Sequence, residues 1–455
     1  MPFDVAIIGA GASGLSAAAK LRSEGCRVVV LEARSRLGGR IFTRHLSDLE
    51  VPLELGAEFI HGEAEPIREL ANEFHVPTLD IAPHRILRAK GRLTPIEDRQ
   101  DRLDRVMRRL DPDRKQDRSF ADALAANRSL RPADIARAKR FVEGYHAADS
   151  SVISERALAE GGWPQGDRRE MRIGRVVGGY DALLERLADP MRGDIRFETI
   201  AASVRWRDGH VNVACRDVTG RSTSSVAARA LVVTVPAGVL AAPDGAKGAI
   251  HFDPPLPAPI RQATALTAMG AVVKLVLRFK HAFWRDEKLA TRLGLPDLDT
   301  TSFLQSRQLL PFPVWWTSYP INSPILVAWV GGPPATELSR LPLSELERHA
   351  VSSLATILSM KPATIRRQLV ATFYHDWIND PFSRGVYSYS RVGGARACET
   401  LSRPVRDTIW FAGEAADRLG RTGTVHGAID SGRRVAAGIL RRQQHPLVRS
   451  AGAPE

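Results

Sequence analysis

The chain has 455 residues, 44% of them apolar and 25% charged, which supplies a packed core, excludes global disorder and suggests two or three domain-sized units. Its formal net charge of +13 rests on 55 arginines and only 9 lysines, so a lysine inside an apolar run is conspicuous. Three cysteines, Cys26, Cys215 and Cys398, lack Cys-x-x-Cys spacing, which excludes a disulfide framework and a structural zinc site and favours a reducing compartment.

Met1-Pro2-Phe3-Asp4 leads straight into an apolar run, with no basic region or cleavage site of a secretory signal. Val5–Ile8 reads as a strand, Leu15–Leu21 as a helix with small residues, and Arg27–Leu31 as a second strand ending in Glu32. The segment 84–141 is Arg-rich, with helical spacing at Leu103, Val106, Met107 and Leu110, and reads as an inserted helical region. Its basic residues are interleaved with acids and lack stacking aromatics, so a solvated helical face is expected rather than a nucleic-acid surface. Strand patterns follow at 203–215, 230–235, 272–279 and 325–330. A helix is expected at 343–358, a strand at 368–374 and a last helix at 425–442. Arg229, Pro236 and Lys274 interrupt the longest apolar stretches, short of the ~18 clean residues of a membrane span. A soluble, cytoplasmic protein is expected.

Gly9-Ala10-Gly11-Ala12-Ser13-Gly14 fits Gly-x-Gly-x-x-Gly between the first strand and first helix. The glycines allow a tight turn and close approach of a pyrophosphate to the helix N-terminus, and Glu32 sits where a carboxylate can accept ribose hydroxyls. Ala33-Arg34 and Gly38-Gly39-Arg40 follow, a second glycine pair suited to a diphosphate spanning two loops, as in an extended FAD fold. Near the C-terminus, Trp410-Phe411-Ala412-Gly413-Glu414 precedes Gly423-Thr424-Val425-His426-Gly427-Ala428 and a long helix. That acid can bind a ribityl chain, and the helix N-terminus can stabilise negative charge. Lys274 is the one ammonium in the strand pattern 271–279. Burying it unpaired is costly, so it belongs on an edge, in an ion pair or in a functional site.

In combination these motifs resemble the flavin-containing amine oxidases: monoamine oxidases, polyamine oxidases and lysine-specific histone demethylases. The resemblance spans nearly the whole chain, through 54–62 (Glu-Leu-Gly-Ala-Glu-Phe-Ile-His-Gly), 178–183, 231–236, 252–257, 377–389 and 411–432. It implies an α/β fold: an FAD-binding Rossmann-like domain (1–84, 170–250, 392–445), a discontinuous α+β substrate domain (85–169, 251–391) and a flexible tail (446–455). It implies cofactor contacts from Gly9, Gly11, Ser13, Gly14, Glu32, Ala33, Arg34, Gly39, Arg40, Gly56, Ala57, Glu58, Val204 (backbone to adenine), Val235, Trp377, Gly413, Glu414, Thr424, Val425 and Ala428. The catalytic set implied is Lys274, linked through water to the flavin, with Tyr387, Trp377, Thr424 and His61. Tyr387 matches one tyrosine of an aromatic cage. Thr424 stands where monoamine oxidases have the second, and Val386 where they have the flavin-linking cysteine, so FAD is expected to be non-covalent. The activity implied is oxidation of an amine to an imine, hydrolysed to a carbonyl compound, with dioxygen reduced to hydrogen peroxide. Glu58 and Glu143 are the candidate carboxylates for a polyamine, while Trp315, Trp316 and Trp329 favour a lipophilic or aromatic amine. Two alternatives are a flavin dehydrogenase or desaturase of the same fold and a flavin-bearing interaction protein with little turnover. No metal, nucleic acid or membrane partner is expected.

Overall fold

A computed structural model describes residues 2–81, 84–89, 91–95, 101–161, 172–295 and 298–444, so the expected tail 446–455 lies outside the described residues. By packing, the described residues form two compact units, one within 1–39, 184–265 and 398–455 and the other within 40–183 and 266–397. This partition assigns 40–84 and 170–183 with the larger unit, because the strands Ile60–His61 and Thr78–Ile81 both pair with Ile173–Val176.

The first unit is built on an eight-stranded mixed sheet. Phe3–Ile8 lies between Val28–Leu31 and Val226–Val233, both parallel to it. Val5 to Ile8 and Val28 to Leu31 are buried throughout, as strands covered on both faces require. The helices Ala12–Ser23 and Val425–Gln444 pack together closely. A Cβ on Gly432 would stand 2.1 Å from the Ser13 carbonyl oxygen, so only glycine permits this approach. The strand expected over 203–215 is a hairpin, Ile200–Arg207 against His210–Arg216, reversed at Asp208-Gly209, where Gly209 has φ +68°.

The second unit centres on a seven-stranded sheet in which Val272–Phe279 pairs with Ile325–Gly331 and Leu369–Phe373. Alternation divides its side chains. Val273, Leu275, Leu277 and Phe279 enter a core with Trp315, Leu326 and the helix Leu343–Ile357. Val276 faces the other way, onto Leu53, Leu55, Trp316 and Val327. Lys274 shares that second face.

The region 84–141 is helical only in part. It opens with a hairpin, Arg85–Ala89 against Arg92–Pro95, and Arg85–Ala89 joins the sheet beside Phe303–Ser306. Its period of two was masked by arginines that are anchored to neighbours rather than solvated: Arg85 lies over the Phe303 ring, and Arg88 donates to the Ile357 carbonyl. The helices Asp101–Met107, Phe120–Ala126, Pro132–Tyr145 and Glu155–Glu160 follow around their own small core.

Candidate functional site

In the first unit, the Gly-rich turn is sterically determined. A Cβ on Gly14 would lie 2.0 Å from the Gly9 carbonyl oxygen, and Gly9 itself has φ +106°. Gly11 precedes the helix Ala12–Ser23 as its N-cap, with no side chain capping the helix and no acid in its first turn. The helix end therefore keeps its dipole and backbone donors for an anion. Gly11 bridges to Gly38, and Arg36 donates to the Gly39 carbonyl, which brings the second glycine pair beside the first. Glu32 is buried at the end of its strand, where it accepts from the Ala10 and Arg34 N–H groups at 2.8 and 2.9 Å. Ser13 meets Ser431 at 3.2 Å. A glycine cradle in which Gly9 and Gly14 leave no room for a Cβ, an uncapped helix N-terminus and a buried carboxylate beside it fit the diphosphate and ribose of a dinucleotide.

At the C-terminal end of the same unit, Glu414 is buried and accepts from the Gly423 N–H at 2.8 Å, closing the turn that begins at Gly413. The Thr424 hydroxyl accepts from the Gly427 N–H at 3.0 Å and donates to the Arg421 carbonyl. It thus caps the helix that starts at Val425, and Ala428 follows in its first turn. Val235 is half-buried after the strand Val226–Val233. Val204 is fully buried in mid-strand, with Val213 on one flank and Phe252 on the other. A backbone contact to adenine from that position has no open strand edge to use. Glu198 and Thr199, whose N–H groups reach the Arg34 and Glu32 carbonyls, run beside the Glu32 turn instead.

Replacing Glu32 with alanine removes charge-assisted hydrogen bonds worth roughly 1.5–3 kcal/mol each and unpins the glycine turn. Flavin retained per protein after dialysis should fall well below wild type; unchanged occupancy would contradict the assignment of this turn.

In the second unit, Lys274 is 4% exposed and ion-paired with Glu58 at 2.7 Å. It also donates to the Gly56 carbonyl at 3.0 Å and lies 5.6 Å from the Trp316 ring centroid. The other Glu58 oxygen accepts from Arg175 at 3.1 Å and Trp316 Nε1 at 2.9 Å. Despite burial, Lys274 and Arg175 hold the Glu58 carboxyl below its ordinary range. Gly56 is forced by packing, since a Cβ would stand 2.0 Å from the Arg40 carbonyl oxygen; the Ala57 N–H donates to that same oxygen. Arg40 donates to the Val386 carbonyl at 2.8 Å. Trp377 is buried, donates to the Leu55 carbonyl at 2.8 Å, and meets His375 with the ring centroids 4.1 Å apart and the planes tilted by 59°; His375 pairs with Asp380.

Rings gather around this charge cluster. Phe59 contacts Trp316 and Phe303, and Trp316 contacts Trp329. His61 is exposed, with its ring 6.1 Å from Phe59 and 6.3 Å from Tyr145. The Tyr387 hydroxyl donates to the Tyr145 carbonyl at 2.7 Å, and burial pushes its phenol well above the usual range.

Sequence reasoning did not single out Glu54, Arg175 or Tyr145. Arg175 is the sole charged residue of the strand Ile173–Val176, the signal that marked Lys274. Glu54 accepts from the Tyr180 N–H at 2.7 Å and Thr43 at 2.9 Å, and burial raises its carboxyl to about 7. The folded state therefore keeps a proton that the unfolded chain loses near 4.5. Stability from this group is full below that pH and declines by about 3 kcal/mol as pH rises to 7. Glu54→Gln should flatten this decline in thermal melts across the interval; a slope equal to wild type would refute the shift.

The model of the flavin-containing amine oxidoreductase family matches residues 12–440. The chain belongs to that family, a class of flavin-dependent enzymes acting on amines. Among curated relatives, lysine-specific histone demethylase 1 homolog 2 of Oryza sativa subsp. japonica is 28% identical over 97% of this chain and 58% of its own length. The chain thus spans little more than half of that protein. Polyamine oxidase 3 of the same species is 29% identical over 94% of this chain and 87% of its own length. Putrescine oxidase bound to putrescine has a TM-score of 0.79 at 23% identity, covering 97% of this chain and 100% of its own. Cyclohexylamine oxidase from Brevibacterium oxydans has 0.79 at 20%, covering 98% and 100%. At those identities the two structures establish a shared fold: an α/β flavin-binding fold with a substrate domain. Among the described residues, no helix is long and apolar enough to cross a membrane.

Proposed function

We propose that the chain oxidises an amine to an imine, which hydrolyses to a carbonyl compound, with dioxygen as the electron acceptor and hydrogen peroxide as product. The observation that carries this reading is Lys274, an ammonium held in ion pairing on an apolar strand among aromatic rings. Bound FAD would supply the redox chemistry, taking two electrons from the amine and passing them to dioxygen. Gly9, Gly11, Gly14, Glu32 and Gly39 would hold its adenosine and diphosphate. Glu414 and the helix from Val425 would hold the ribityl and pyrimidine end. Lys274 would present a fixed positive charge and a proton donor where negative charge develops on oxygen. Tyr387, Trp377 and His61 would orient the amine and exclude water.

FAD binding would be non-covalent, because Val386 offers no nucleophile. Acid precipitation should release the flavin into the supernatant; a yellow pellet would reveal a covalent bond through another side chain. A cytoplasmic setting suits the three cysteines, which form no disulfide. Within the basic insert, Arg118 is committed to the buried Glu155, which supports a packing role for that arginine rather than contact with nucleic acid.

The favoured substrate is an amine with an apolar or aromatic body and one cationic nitrogen. Phe59, Trp316 and Trp329 supply apolar surface, while Glu58 is already claimed by Lys274, Arg175 and Trp316. Glu143 accepts from Ser150. A second ammonium would enter beside Arg175, Arg85 and Lys274, and among the described residues the nearby Glu58 is already paired. Peroxide-coupled rates should give the monoamine a kcat/KM at least ~10-fold above a diamine of equal length, a difference of ~1.4 kcal/mol. A diamine that outruns its monoamine would overturn this preference.

A further inference from the structure

Val272–Phe279 is buried along its length apart from Arg278, and Lys274 itself is 4% exposed. Burial of this kind disfavours the charged form of an isolated lysine. Several charged or titratable groups surround Lys274. Glu58 touches it at 2.7 Å from the loop after Leu53–Glu54. Glu54, on that short strand, is hydrogen-bonded to Tyr180 and Thr43 instead. Arg175 approaches from Ile173–Val176 and reaches Glu58 rather than Lys274. The pair His375–Asp380 follows Leu369–Phe373 and is satisfied internally. Trp316 and Trp329, from the neighbouring strands, contribute rings but no charge. Glu58 is therefore the single anion in direct contact with the ammonium among the described residues.

We propose that Glu58 is a positioning residue that keeps Lys274 protonated and fixed toward the Gly56 carbonyl, and so sets the pH range in which Lys274 can act. Three features carry this. The carboxylate is divided, one oxygen for Lys274 and the other for Arg175 and Trp316, so it cannot swing away without breaking all three contacts. Trp316 and Arg175 are themselves anchored: Arg175 donates to the Thr317 and Tyr319 carbonyls at 2.8 and 2.7 Å. Removing the carboxylate would leave Lys274 facing the permanent charge of Arg175, which adds repulsion to burial. Glu58 acts on the reaction only through Lys274, so this inference rests on the oxygen role assigned to that lysine above.

The test compares wild type with Glu58→Gln, Glu58→Asp, Lys274→Met and the double variant Glu58→Gln/Lys274→Met, each purified with its flavin. Reduced protein is mixed anaerobically with oxygenated buffer over a range of pH. Glu58→Gln should reoxidise like wild type in mildly acidic buffer and fall at least ~10-fold, toward Lys274→Met, in mildly alkaline buffer as the lysine deprotonates. Glu58→Asp, which keeps the charge, should restore the wild-type profile. A Glu58→Gln rate lowered by one factor at every pH would make Glu58 merely structural and overturn the proposal. Thermal melts of the same proteins supply a readout independent of oxygen. The double variant should be less destabilised than the two single losses added together, because either single change already removes the Glu58–Lys274 pair. Additive losses would overturn the pairing. If Lys274→Met reoxidises as fast as wild type, the oxygen role of Lys274 fails, and the melts alone then decide whether Glu58 holds its charge.

Discussion

Gly14→Ala should yield a protein that purifies with less than about a tenth of wild-type flavin and melts at a lower temperature. The added Cβ would lie 2.0 Å from the Gly9 carbonyl oxygen and 3.1 Å from both the Gly9 carbonyl carbon and Thr234 Oγ1. The first two are backbone atoms, so no rotamer change relieves the contact. Gly9 is held where it is by its N–H, which donates to the Leu31 carbonyl at 2.8 Å, and by the Thr234 hydroxyl, which donates to its carbonyl at 3.2 Å. The turn must open, moving the N-terminus of Ala12–Ser23 away from the diphosphate position. Overpacking of this kind costs typically ~1–3 kcal/mol. Gly11→Ala is the informative control, because its Cβ would find only the Gly38 carbonyl oxygen at 3.7 Å, an ordinary contact. Stripped of flavin, that variant should melt like flavin-free wild type yet bind flavin poorly, because its Cβ occupies space needed by the cofactor rather than by the protein. Full flavin occupancy in Gly14→Ala would contradict the dinucleotide reading of the turn.

Lys274→Met should slow reoxidation of reduced flavin by at least ~10-fold, or ~1.4 kcal/mol of barrier, while leaving flavin content nearly intact. Methionine suits an apolar strand and keeps the length of the side chain. Breaking a buried ion pair usually costs ~3–5 kcal/mol because the partner is stranded. Here Glu58 retains Arg175 and Trp316, so the stability loss should fall below that range. Equal reoxidation rates would remove Lys274 from the oxygen step. A slow wild type would favour a dehydrogenase over an oxidase.

The nucleotide-binding half was legible because its chemistry is local. Gly9 to Gly14, the following helix and Glu32 lie within one strand–helix–strand unit, where spacing alone fixes geometry. Lys274 was visible for a different reason, a lone cation in an apolar strand, but its partner was not. Glu58 lies over two hundred residues earlier, and only the sheet's alternation brings the face of Lys274 and Val276 onto the segment after Leu53. The same limit hid the raised carboxyl of Glu54, whose shift depends on burial beside Tyr180 and Thr43. Thr424 illustrates a further difficulty: the resemblance marked it as a departure, standing where monoamine oxidases have a second cage tyrosine, but not as the residue whose hydroxyl caps the helix from Val425. The hairpin at 85–95 escaped because arginines anchored on Phe303 and Ile357 look, in sequence, like a solvated helical face.

The central claim is that an amine reduces the flavin held by this chain, and anaerobic mixing tests it without reference to oxygen or product. Purified yellow protein is mixed with apolar monoamines, diamines and polyamines in the absence of air, and the visible absorbance of oxidised flavin is followed. Bleaching by at least one apolar monoamine, faster than by any diamine or polyamine, is the predicted result. Retention of the full oxidised spectrum with every amine, in protein that dithionite reduces normally, would contradict the account.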